Sequence, residues 1–184
     1  MPSIFTHSIF AALVGRSFLP GGLPLRFWIL SILCPVIPDG DAVSFAFRVE
    51  RGSMWGHRGI THSILFAVIL GTAAAVFGFG KEKPFRTSLL ALYFSLITVS
   101  HPLLDMLTNG GSGVALLAPF SGERFFFPWR PIEVSPIGIG FFSARGLDVL
   151  LSEIKWAWLP AVALLGASLL IRKAFGREDA DRTD

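Results

Sequence analysis

Cysteine occurs once in this 184-residue chain, at Cys34 within an apolar stretch. A disulfide inside one chain is thereby excluded, and so is a thiolate-rich metal site. Cys34 is expected to act as a small buried hydrophobe. Charge is also scarce, at 16% of residues, against roughly 25% in soluble domains. Apolar residues make up 52% and mean hydropathy is +0.62. A soluble domain of this size cannot bury so much apolar surface, so lipid must cover part of it. A basic cluster is missing too. The net charge of +3 comes from Lys and Arg that flank apolar runs. That distribution suits lipid headgroups and not a nucleic-acid partner. The opening MPSIFTHSIF has neither a basic region nor a small-residue cleavage site, so no removable signal peptide is expected. There is no G-x-S-x-G elbow for acyl transfer. A single domain is expected over residues 1–175, followed by a charged, disordered tail over 176–184.

What is present is hydropathic alternation. Five apolar segments run from about Ile4 to Leu19, Leu23 to Pro38, Ser63 to Phe79, Thr87 to Leu104 and Trp156 to Ile171. Several fall short of the roughly 20 residues that cross a bilayer. Arg16 and several prolines interrupt the first two, so the last three are the stronger expected spans. Two long connections, Asp39–His62 and Asp105–Lys155, are polar or rich in Gly, Pro and Phe. Irregular backbone at membrane depth needs protein or water around it, which places both at one face. The expected fold class is all-α: a polytopic membrane helical bundle of about five apolar helices with two long interfacial connections. THSIFAALVG from Thr6 echoes THSILFAVILG from Thr61. Each is expected to open a helix with a Thr cap and a His in its first turn.

Alternation of the segments brings all four histidines to one face. His7 starts the first helix, and Asp39 and Asp41 follow the second. His57 and His62 precede the third, while His101 and Asp105 end the fourth. In HPLLD, His101 and Asp105 are i and i+4 and share a helical face. Asp39 and Asp41 occupy a Pro-Gly turn where carboxylates can converge. Taken singly, an interfacial His or a turn Asp is ordinary. Seven such groups at one depth point to a metal site, since ionisable groups at a membrane default to function.

The expected ligands are His7, Asp39, Asp41, His57, His62, His101 and Asp105. This N/O donor set suits a divalent metal, zinc first, with manganese or iron also accepted, as one or two ions. Three carboxylates repel one another and are costly to desolvate. A pair of divalent ions would neutralise them and leave a positive excess for an anionic substrate. Helix dipoles at the starts of the first and third segments disfavour protonated His7 and His62, and so favour the neutral imidazole that metals require. Arg58 can hold a phosphoryl oxygen bidentately, and Arg58 with Asp105 is expected to carry the chemistry. Arg124 and Arg130, among Phe125, Phe126, Phe127 and Trp129, are expected as interfacial anchors. Ser8, Thr61, Ser63 and Ser100 fit caps or hydrogen bonds behind the ligands better than nucleophiles.

The motifs PDGD, HRGITHS and HPLLDMLTNGG, with the later LLAPFSGERFFFPWRPI, resemble the bacterial YdjM-like membrane-bound metal-dependent hydrolase family, also described as LexA-binding inner-membrane hydrolases. The similarity runs from about His7 to about Gly138. The resemblance implies an inner-membrane, multi-pass hydrolase, with His7, Asp39, Asp41, His57, His62, His101 and Asp105 at the family's His and Asp positions. Location at the membrane face makes the expected substrate a phosphoester, or another ester, of a lipid or lipid-linked anionic molecule. The alternative is a non-catalytic, metal-stabilised membrane protein that docks a regulatory protein partner. A transporter would need ionisable groups strung across the bilayer, and here they gather at one face. Basic residues give the orientation. Arg16, Arg26, Lys81, Lys83, Arg86, Arg172, Lys173, Arg177 and Arg182 lie opposite the site. Arg48, Arg51, Arg58, Arg124, Arg130, Arg145 and Lys155 lie beside it, spread over long connections. This places the site on the extracytoplasmic face.

Overall fold

The structure is a computed structural model that describes residues 1–19, 23–50, 52–81, 83–136 and 138–181. Helices α1 (Ile4–Phe18), α2 (Leu25–Leu33), α3 (Ile64–Phe79), α4 (Pro84–Met106), α5 (Ala144–Glu153) and α6 (Leu159–Asp181) account for most of it. Only two isolated β-bridges occur among the described residues, so the all-α membrane bundle is borne out. Arg51 and Arg182 lie outside the described residues. α6 extends to Asp181, and residues 182–184 of the charged tail also fall outside the described set.

Which segments are long differs from the hydropathic expectation. Among the described residues, three helical stretches are long and apolar enough to cross a membrane: Leu25–Phe45, Arg86–Met106 and Ala144–Phe175. The second segment is therefore one of the long ones. Pro35 and Pro38 cannot donate backbone hydrogen bonds, yet the chain continues through them as a turn and a 3-10 helix, Ile37–Phe45. The third segment, Ile64–Phe79, is a shorter apolar helix, as is Ile4–Phe18. The fifth begins twelve residues earlier than its apolar run, because α5 leads through a π-helical turn, Ile154–Trp158, into α6. Asp148, Glu153 and Lys155 break the apolar pattern there without breaking the helix.

Packing centres on α3 against α4. α3 buries Ala67, Gly71, Ala75 and Phe79, a stripe of mostly small residues four apart that lets two membrane helices approach closely. A Cβ at Gly71 would overlap the backbone nitrogen of Ser95 on α4. Phe27, Cys34, Phe79, Phe94 and Ile97 complete the core, with Cys34 buried as expected. The outward faces carry exposed Ile69, Val76, Leu92, Leu96 and Leu170, the surface that lipid covers.

α1 and α5–α6 run side by side in the same sense. At one end, the buried Glu153 carboxylate accepts from Ser3 N, Ser3 Oγ and Thr6 Oγ1. At the other end, Arg172 donates to the carbonyls of Ser17 (2.8 Å) and Leu19 (3.0 Å). Thr6 is thus not the cap of α1. It lies inside the helix with its hydroxyl committed to Glu153 while accepting from Trp158 Nε1 (2.7 Å). The cap of α3 is Ser63, which accepts from Phe66 N, and not Thr61.

Candidate metal centre

Four parts of the chain meet at one end of the bundle. The first turns of α1 bring His7, and the 3-10 helix after α2 brings Asp39 and Asp41. The turn before α3 brings His57, Arg58 and His62, and the last turns of α4 bring His101 and Asp105. The segment after α4 closes over them through backbone hydrogen bonds: Ala115 N to Arg58 O (3.0 Å), Ile64 N to Leu116 O (3.0 Å) and Asn109 N to Ile132 O (2.9 Å).

Hydrogen bonds on the outer ring nitrogens define what the imidazoles present inward. His101 Nδ1 lies 2.6 Å from the carbonyl of Pro35. A carbonyl only accepts, so Nδ1 carries a proton and Nε2 is the atom turned inward. His62 Nδ1 faces Asp41 Oδ2 at 3.1 Å and Thr61 Oγ1 at 3.1 Å, and again Nε2 is left as the inward atom. The two Nε2 atoms are 2.9 Å apart. Asp39 Oδ1 stands 3.5 Å from His101 Nε2 and 3.7 Å from His62 Nε2. Asp105 Oδ2 stands 3.4 Å from His62 Nε2. Two imidazole nitrogens and two carboxylates facing one point repel unless a proton or a metal ion lies among them.

The orphaned atoms fit that reading. Both oxygens of Asp39 and of Asp105 are buried without a well-aligned hydrogen bond. The 2.9 Å approach of Arg58 Nε to Asp105 Oδ2 is an ion pair set off the hydrogen-bond line. Asp39, His62, His101 and Asp105 form one group able to hold a metal ion, with donor atoms within 4.8 Å of one another. Asp39, Asp41, His57 and His62 form a second, overlapping group. His7 belongs to neither. Its ring stacks on His101 at 3.9 Å, and its Nε2 lies 3.7 Å from Asp105 Oδ1.

Asp41 differs from the other two carboxylates, because its oxygens are fully engaged. Oδ1 accepts from His57 Nδ1 (2.6 Å). Oδ2 accepts from Arg58 N (3.0 Å) and Thr61 Oγ1 (2.6 Å). The role expected for Thr61, a hydrogen bond behind the ligands, is what it performs. Ser8 and Ser100 bond carbonyls of their own helices.

In the metal-free pocket the dipole-based expectation for His62 does not hold, and a proton stands on its ring where a metal ion would stand. Burial works against its charged form, but close contacts with Asp105, Asp39 and Asp41 outweigh burial and lift its pKa to about 10. Full carboxylate charges a few ångströms away exceed the half-charge of a helix end. The pocket therefore attracts positive charge at this ring.

Arg58 is 1% exposed. Besides Asp105, its guanidinium reaches the Gly110 carbonyl through NH1 (3.0 Å) and Thr108 Oγ1 through NH2 (2.8 Å). Its backbone is left-handed, at φ 63°, a conformation costly outside glycine and held by the bonds to Asp41 and Ala115. Gly111 (φ +94°) leaves room for the guanidinium, since a Cβ there would lie 2.6 Å from NH1. Arg124 is no interfacial anchor. It ties loops together, donating to Ser53 O (2.8 Å), Ser112 Oγ (3.1 Å) and Gly113 O (3.2 Å), and burial followed by neighbouring Arg58 lowers its pKa. Arg130 lies 4.8 Å over the Phe126 ring.

Sequence reasoning did not single out Thr108, Gly111 or Glu153. Thr108 has a signal, its place three residues beyond Asp105. Glu153 has one too, as a lone acid beside an apolar run. Beside the cluster opens a cavity of about 200 Å³, lined by Met1, Phe45, His57, Arg58, Gly111, Ser112, Val134 and Ser135.

Comparison with known proteins agrees with this arrangement. The family model described as YdjM inner membrane protein matches residues 1–175, further than the motifs alone reach. The inner membrane protein YbcI of Escherichia coli (strain K12) is 37% identical over 169 residues, covering 90% of this chain and 96% of that protein. No solved structure matches the chain. A match over nearly the whole chain, together with a helical bundle carrying long apolar spans, makes this chain a member of the YdjM inner membrane protein family.

Proposed function

We propose that the chain is a membrane-bound metal-dependent hydrolase of a phosphoester, or another ester, of a lipid or lipid-linked anionic molecule. The observation that carries this reading is the meeting of two inward Nε2 atoms, 2.9 Å apart, with the orphaned oxygens of Asp39 and Asp105. Asp39, His62, His101 and Asp105 would hold a divalent ion, zinc by donor chemistry, with manganese or iron also suited. Such an ion supplies a water acidified toward neutrality and polarises a phosphoryl oxygen.

The chain's own groups take the remaining roles. Asp41 orients His57 and His62 through their Nδ1 protons, so the second group serves orientation more than a second ion. Charge balance points the same way: Arg58 offsets one of three carboxylates, and a single divalent ion balances the other two. Asp105 binds the metal and Arg58 holds Asp105 in place. The phosphoryl contact expected of Arg58 needs NH1 to turn from Gly110 toward the cavity it lines. His57, on the same wall, keeps Nε2 as a proton acceptor.

The test is elemental analysis of purified protein, followed by turnover of a lipid phosphomonoester and a lipid phosphodiester with and without chelator. About one divalent ion per chain and turnover that chelator abolishes and metal restores are expected. Full metal loading without turnover of either lipid would leave the alternative, a metal-stabilised protein that docks a regulatory partner. Failure to bind metal removes both readings.

The site is proposed to face away from the cytoplasm. Of the basic residues beside it, Arg58 and Arg124 are engaged with protein groups and Arg145 pairs with Glu133 at 2.6 Å. The charges of Arg58 and Arg124 are tied up by protein groups and that of Arg145 is offset by Glu133, which sharpens the excess on the opposite side. α6 ends on that side, so a C-terminal fluorescent-protein fusion is expected to glow in the cytoplasm. Protease access to the fused domain from outside the cell would reverse the orientation.

A further inference from the structure

A second groove, of about 390 Å³, lies beside the polar cavity. Its walls are Ile4 and Phe5 from the first turn of α1, and Ile139, Phe141 and Phe142 from the turn before α5. Met1 and Ser135 line the groove and the cavity alike, so the two spaces adjoin. The Ser135 amide donates to the Met1 carbonyl (3.0 Å), which ties the two shared residues together. One space is the more polar of the two and is bordered by Arg58 and His57, and the other is almost wholly apolar.

The groove stands open in a built form. The Phe5 and Phe141 rings meet at 5.9 Å, and Phe141 and Phe142 meet edge-on at 5.8 Å. The turn is held by Phe142 N to Ile139 O (3.0 Å) and by Ser143 Oγ to Gly140 O (2.7 Å). Gly146 lets α5 seat against the Phe141 carbonyl, where a Cβ would collide. Yet Ile139 is 90% exposed and Phe142 83% exposed. Large apolar groups held apart by a hydrogen-bonded turn, next to the cavity that Arg58 and His57 line, form a site for the hydrocarbon part of an amphiphile.

We propose that this groove seats the hydrocarbon chain of an amphiphilic phosphoester whose head occupies the adjoining polar cavity, making Phe5, Ile139 and Phe142 chain-length-determining residues. The assignment rests on the hydrolase reading for the head, and the groove itself supplies the tail. Each methylene transferred from water into an apolar groove strengthens binding by roughly fourfold until the groove is filled.

The test uses the full chain in lipid nanodiscs, loaded with zinc. Binding of inorganic phosphate and of n-alkyl phosphates from two to ten carbons is measured for the wild type and for a Phe5→Ser, Phe142→Ser double variant. These side chains lie outside the metal cluster and are partly exposed, so the fold should survive. In the wild type, affinity is expected to rise by about fourfold per methylene. In the variant the rise should flatten while inorganic phosphate binds equally well. The same chain-length dependence in both proteins, or none in the wild type, overturns the groove assignment and leaves the hydrolase reading intact. If inorganic phosphate fails to bind, the hydrolase reading is struck instead. The groove is then judged by octyl phosphate carrying a terminal diazirine: labels on Phe5, Phe141 or Phe142 uphold it, and labels confined elsewhere overturn it.

Discussion

His101→Ala is expected to strip the bound metal and to reduce hydrolytic kcat/KM by more than about a hundredfold. Substituting residues that merely orient metal ligands costs about 10–100-fold in affinity or activity, and removing a ligand should cost more. His101 is a demanding test because Pro35 O holds its Nδ1, so its Nε2 is the atom turned toward His62 and Asp39. Asp41→Asn supplies the contrast. It disturbs the orientation of His57 and His62 without removing an orphaned oxygen, so affinity should fall by about 10–100-fold while saturating zinc still fills the site. Chelator-competition titrations and elemental analysis measure both variants, with thermal unfolding as a check that each is folded. If His101→Ala keeps its metal and its turnover, the ligand assignment is wrong.

Removing the Arg58 side chain is the second large expected effect. Arg58→Ala leaves Asp105 as a buried carboxylate without its ion-pair partner. Breaking such a pair typically costs about 3–5 kcal/mol. Because Asp105 also faces the proposed cation, added zinc should recover much of the loss, and chelator should expose it in full. Arg58→Lys is not expected to rescue, since one ammonium cannot reach Asp105, the Gly110 carbonyl and Thr108 Oγ1 from a single fork. Unfolding in detergent, with zinc and with chelator, reads this coupling. An equal penalty under both conditions would mean that Asp105 does not face the metal.

These predictions show which parts of the site were legible in the chain and which were not. His101 and Asp105 were readable as a pair because an α-helix fixes the i, i+4 relation locally. The gathering of all four histidines at one end followed from hydropathy, because a bilayer forces apolar segments to alternate. α5 was not legible: Asp148, Glu153 and Lys155 break the apolar run, and only contact with α1 shows that Glu153 is buried and bonded to Ser3 and Thr6. The Thr caps were misplaced for a related reason. A hydroxyl near a helix start can cap it or bond a distant carboxylate, and Thr6 and Thr61 have distant carboxylates within reach.

By itself the sequence determined a bundle of apolar helices in a membrane, with its imidazoles and carboxylates brought to one end. Both follow from local periodicity and from the cost of placing polar groups in hydrocarbon. Only the tertiary structure decided which carboxylates are left for a cation. Asp39, Asp41 and Asp105 are chemically alike, and their roles differ through partners far along the chain. Asp41 is saturated by the segment from His57 to Thr61, whereas the oxygens of Asp39 and Asp105 are left without a well-aligned hydrogen bond. The same holds for Arg58, whose burial depends on Thr108 and on the carbonyl of Gly110. Hydrogen bonding is directional and short-ranged, so such roles exist only once packing has brought distant backbone within about 3 Å.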